Sequence, residues 1–115
     1  RAAIVTCGAS SGRLAYWGPI AISKAGVEAL ARTWAAEAVN SPLRVNLINP
    51  GPTATHLRAK AFPGEKPETL PKPADIAPLF LEVVATSQTV NGHLFDGYDW
   101  RARRGVRTPS GATVD

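Results

Sequence analysis

A chain of 115 residues, 44% hydrophobic and 19% charged, has the composition of one globular domain and excludes wholesale disorder. No apolar run approaches the ~20 residues of a membrane helix. Cys7 is the single cysteine and cannot form an internal disulfide, so a reducing cytoplasm is the default setting, and His56 and His93 lie too far apart in sequence to start a metal cluster.

The net charge of +4 is uneven: residues 99–115 hold Arg101, Arg103, Arg104 and Arg107 against Asp99 and Asp115. A solvated basic tail accounts for this better than a nucleic-acid site, and no membrane partner is indicated. The chain opens on Arg1 directly inside a strand-like run, which reads as a piece of something longer. Ala2-Ala3-Ile4-Val5-Thr6-Cys7 is apolar without alternation, as a parallel strand covered on both faces would be, and Gly8-Ala9-Ser10-Ser11-Gly12 ends it with turn chemistry. Gly18-Pro19 starts a helix of residues 19–39, since proline is tolerated in a first turn where its missing N–H had no partner. Val27, Leu30, Ala31, Trp34 and Ala38 predict its buried stripe. Asn40-Ser41-Pro42 stops it.

Leu43 to Asn49 is a second strand, ending at Pro50-Gly51-Pro52, so strand, helix and strand form a right-handed βαβ unit. Residues 53–73 are irregular and proline-rich, with a short helix over Thr55–Ala61; segments of this length tend to be functional lids or disordered. Residues 73–85 form another helix with Ile76, Leu79, Phe80, Val83 and Val84 inward, and Thr89–Asp96 a third strand. From about Asp99 no periodicity remains, and a disordered or loosely attached tail is expected.

This order resembles the C-terminal half of the short-chain dehydrogenase/reductase family over about residues 2–97. The carriers are Ser23-Lys24-Ala25, Ala35-Ala36-Glu37, Arg44-Val45-Asn46, Pro50-Gly51-Pro52-Thr53-Ala54-Thr55 and Val90-Asn91-Gly92, in the family's order. The resemblance implies an α/β fold with a partial Rossmann-type parallel sheet, β-α-β-lid-α-β, lacking the N-terminal half, with residues 1–98 as the domain portion and 99–115 as the tail. It also implies NAD- or NADP-dependent hydride transfer between a small carbonyl and an alcohol.

In the family a tyrosine four residues before the lysine handles the proton, the lysine binds the nicotinamide ribose and lowers the phenol's pKa, and a serine about thirteen residues before the tyrosine holds the substrate oxygen. The lysine here is Lys24, but the tyrosine position holds Ile20 and the serine position Cys7. Isoleucine has no proton to give, and a thiol is a weak donor. Tyr16 lies eight residues before Lys24, about 12 Å along a continuous helix, and ahead of Gly18-Pro19. Ser10 and Ser11 are the nearest stand-ins for the serine. By the motif, Pro50, Gly51 and Thr53 meet the nicotinamide and Thr55 a phosphate.

No glycine-rich loop of the form G-x-x-x-G-x-G follows a first strand, and no residue selects NAD over NADP. The expectation is an oxidoreductase by descent whose proton-transfer chemistry is degenerate. The alternative is a non-catalytic fragment or interaction module, a homo-oligomer formed through helix 19–39.

Overall fold

A computed structural model describes the backbone of residues 2–7 and the whole of residues 15–105. The elements are β1 (Ala2–Cys7), α1 (Gly18–Glu37), β2 (Leu43–Asn49), α2 (His56–Ala61), a 3-10 turn (Pro67–Thr69), α3 (Pro73–Val84), β3 (Leu94–Asp96) and α4 (Gly97–Arg103). The strands form one parallel sheet in the order β1-β2-β3. β1 lies beside β2 with Ala2 opposite Leu43 and Cys7 opposite Ile48. The α/β class and the parallel sheet are as the sequence predicts.

Strand β2 is the centre of the core. Its residues from Arg44 to Ile48 are all buried, because helices cover both faces. Val45 and Leu47 pack on Ala31 and Ala35 of α1. Ile48 points the other way, into Leu79 and Val83 of α3 and Trp100 of α4.

The buried face of α1 differs from the predicted stripe. Ala31, Ala35 and Ala38 are buried, while Leu30 and Trp34 remain 46% and 42% exposed. Alanines let the helix lie close on β2, and the bulkier pair is turned outward. Glu37 ends the helix, two residues before Val39. Beyond it Ser41 Oγ donates to the Ala38 carbonyl and accepts from the Leu43 N–H, turning the chain into β2. On α3, Ile76, Leu79 and Val83 are buried and Phe80 half-buried, whereas Val84 faces outward.

The third strand is shorter than the predicted Thr89–Asp96: only Leu94–Asp96 pair as a strand. Before that, backbone bonds from the Gly92 N–H to the Val45 carbonyl and from the Leu47 N–H to the His93 carbonyl (both 2.8 Å) run beside side-chain bonds. Asn91 Oδ1 accepts from the Val45 N–H (2.9 Å) and its Nδ2 donates to the Ala35 carbonyl (2.8 Å). Buried Asn46 reciprocates, donating to the Val90 carbonyl (2.9 Å) and accepting from the His93 N–H (3.0 Å). The Arg44-Val45-Asn46 and Val90-Asn91-Gly92 motifs are thus two halves of one polar clamp.

A further correction concerns the tail, expected to be disordered or loosely attached from Asp99. Gly97–Arg103 is the helix α4. Asp96 caps it, its Oδ1 accepting from the Tyr98 and Asp99 N–H groups (2.8 and 3.1 Å), and Trp100 is buried against α3. The Trp100 indole N–H donates to Glu82 (2.7 Å), which also takes Arg104 (3.0 Å). Residues 106–115 lie outside the described residues.

Candidate active site

The carboxyl ends of β1 and β2, the first turns of α1 and the turn after β2 meet at one edge of the sheet. Ligands of open α/β sheets bind at this edge. Ile20 and Lys24 occupy the first two turns of α1, one turn and ~6 Å of axial rise apart. Ile20 is 43% exposed. Lys24 is half-buried, and among the described residues nothing pairs with its ammonium. Ser23 Oγ is committed to the Ile20 carbonyl at 2.8 Å. Tyr16 sits ahead of the helix in a left-handed conformation (φ 69°) with its ring in solvent. Backbone register sets the end of β1 at Cys7 against Ile48. The Cys7 side chain, Ser10 and Ser11 lie outside the described residues.

The Pro50–Thr55 turn is internally tied. Asn49 Oδ1 accepts from the Gly51 N–H (3.2 Å) and Thr53 Oγ1 donates to the Gly51 carbonyl (3.1 Å). Thr55 caps α2, its Oγ1 accepting from the Arg58 N–H at 3.1 Å. Gly51 has φ 74°, and a Cβ there would run into the Tyr98 ring. Gly97 is equally tight, since its Cβ would meet the Pro50 carbonyl. So α4 is seated directly on the turn, which the sequence pattern does not reveal. The available signal was Asp96 followed by Gly97, a cap ahead of an aromatic pair. Burial pushes the Tyr98 phenol above its ordinary pKa, outweighing Arg101 and Arg58, so it stays protonated near neutrality.

Over the start of α1 lies the lid. Trp17, the residue before the helix, stacks on Phe62 with ring centroids 5.3 Å apart. The Arg58 guanidinium sits 3.9 Å from the Phe62 centroid and donates twice to Glu65, at 2.8 and 3.0 Å. That pairing raises the Arg58 pKa and lowers the Glu65 carboxyl below the usual glutamate value.

This geometry can be set beside known proteins. The family described as enoyl-(acyl carrier protein) reductase matches residues 1–90. The chain belongs to the short-chain dehydrogenase/reductase family. It is 44% identical over 88 residues to the oxidoreductase YciK of Escherichia coli K12, covering 76% of this chain and 34% of that protein. A short-chain dehydrogenase from Salmonella enterica serovar Typhi is 42% identical with a TM-score of 0.74, covering 83% of this chain and 40% of that one. A short-chain dehydrogenase from Escherichia coli CFT073, solved with NADPH, is 42% identical with a TM-score of 0.71, covering 81% of this chain and 40% of that one. The chain therefore spans between a third and two-fifths of the length of these relatives.

Two observations fit the nicotinamide end of a dinucleotide: a half-buried lysine with no protein partner among the described residues, and a Pro50–Thr55 turn at the same sheet edge. α4 lies beyond the stretch matched to the family.

Proposed function

We propose that this chain carries the nicotinamide-facing part of an NAD(P)-dependent oxidoreductase site in which proton transfer is impaired. The observation that carries it is Lys24, half-buried and unpaired among the described residues, one helical turn from Ile20. The cofactor, when bound, supplies or accepts hydride. Lys24 would hold its ribose, and the backbone of Pro50, Gly51 and Thr53 would face the nicotinamide, with the Thr55 hydroxyl toward a phosphate. The substrate class is a small carbonyl or alcohol. Ile20 offers no O–H to protonate an alkoxide and Cys7 only a weak donor, so a bound carbonyl would be poorly activated. Cofactor binding and chemistry are therefore separable here.

The test is titration of NADPH and NADH followed by nicotinamide fluorescence. Micromolar binding supports the site, and its loss in Lys24→Met places the lysine in it; no binding at millimolar cofactor overturns it. In a protein comprising the full family fold, Ile20→Tyr with Cys7→Ser should raise carbonyl reduction by orders of magnitude. Ordinary turnover by the unaltered sequence would refute the impairment.

A second reading is favoured by the outer face of α1. Ile22, Leu30 and Trp34 lie exposed at helical spacing, with Gly26 open between them. That face would serve a homodimer, whatever the fate of catalysis.

A further inference from the structure

We infer that Arg101 anchors an oxyanion-binding site at the carboxyl edge of the sheet. It is only 1% exposed, and none of Nε, Nη1 and Nη2 has a hydrogen-bond acceptor among the described residues. The Tyr98 ring, 5.3 Å from the guanidinium carbon, satisfies no N–H in the plane of the group. Among the described residues the carboxylates around α4 are committed elsewhere: Asp96 to the helix N–H groups, Glu82 to Trp100 and Arg104, Glu65 to Arg58. Asp99 is on the exposed side.

A guanidinium cannot shed its proton in a protein, and burying it without acceptors is strongly unfavourable. Five donors in a planar fork match two oxygens of one phosphate or carboxylate. Position agrees with chemistry. Gly97, Tyr98 and Arg101 fall at i, i+1 and i+4 of α4, on the face that covers the Pro50–Gly51 turn. The inference rests on this placement and not on Ile20 or Lys24, so it holds whether or not the chain binds a dinucleotide.

Thermal unfolding of the chain is followed against inorganic phosphate, sodium acetate and NADPH, each at ionic strength matched with sodium chloride. The expected result is a saturable rise in Tm of several degrees with at least one of them, absent in Arg101→Met and partly retained in Arg101→Lys. A response to phosphate and NADPH identifies a phosphoryl ligand, and a response to acetate a carboxylate. General stabilisation by phosphate does not saturate and is common to both proteins, so the difference between them is the readout. Exposed Arg104→Gln should respond as the parent does. If Arg101→Met does not fold, the parent's titrations decide alone. No saturable rise with any of the three, or an equal rise in Arg101→Met, overturns the site. Failure of NADPH alone, with phosphate still effective, separates this outcome from failure of the dinucleotide reading.

Discussion

Gly51 and Asn46 show how single residues hold this edge of the fold. Gly51 needs a left-handed backbone and also leaves room for the Tyr98 ring. Gly51→Ala therefore carries two costs: about 1–2 kcal/mol for the backbone and about 1–3 kcal/mol for overpacking. The two separate in a double-mutant cycle. In a Tyr98→Ala background the clash is gone, so Gly51→Ala should cost only the backbone part, measured as the urea midpoint at constant slope. Equal costs in both backgrounds would mean that α4 does not press on the turn. Asn46 serves two backbone groups at once while 1% exposed. Asn46→Ala strands the His93 N–H and the Val90 carbonyl, and should destabilise by about 1–3 kcal/mol. Hydrogen exchange at His93 should accelerate with it.

At the scale of elements, two contacts made by glutamates fasten the lid and α4, and both should weaken in acid. The Glu82 carboxyl lies below its ordinary value of 4.5, chiefly because the Trp100 indole N–H donates to it, with Arg104 assisting. Glu65 is lowered by Arg58 in the same direction. A carboxylate whose folded pKa is depressed contributes its full stability above the unfolded value and loses it as pH falls through the folded one. The slope therefore lies at and below about pH 4.5, and exposure of both groups keeps it modest. Glu82→Gln should flatten the fall of Tm between neutral and acid pH, most visibly in the near-ultraviolet signal of Trp100. The lid can be tested without acid: Phe62→Ala removes the Trp17 stack and the seat of Arg58, and should speed tryptic cleavage after the exposed Lys60. How legible each element was follows from where its stabilisation comes from. β1 and α3 announce themselves because a continuous apolar run and a helical stripe meet a core directly, and β2 by Leu43, Val45, Leu47 and Ile48 ahead of the Pro50-Gly51-Pro52 stop. β3 is overextended because Val90 and Asn91 are tied to β2 by two asparagine side chains, invisible to periodicity, and the backbone pairing starts only at Gly92. α4 is missed because Arg101, Arg103 and Arg104 read as solvated, although Arg101 is buried and Trp100 supplies the packing. At the site, residue identities at Lys24 and Ile20 were readable from the motif, whereas Tyr98 and Arg101 arrive there only through tertiary packing.

For the whole molecule, the proposed pairing of two copies turns on the orientation of α1. Its alanine face is used up on β2, and Ile22, Gly26, Leu30 and Trp34 form an outward ridge at intervals of four. Ridges of this spacing interdigitate with copies of themselves at about −50°, and open Gly26 permits close approach at the crossing. A 20-residue helix is about 30 Å long, so one such ridge offers less than the ~800 Å² per partner of a standard interface. A weak, concentration-dependent dimer is therefore expected, with sedimentation coefficients rising across the micromolar range. Leu30→Glu with Trp34→Glu should abolish that rise while leaving the helical circular dichroism intact, because neither side chain supports the sheet. Ala35→Leu should do the reverse, forcing α1 off β2 and lowering stability through overpacking. A parent chain that sediments as a monomer at every concentration would show that this ridge does not pair with itself.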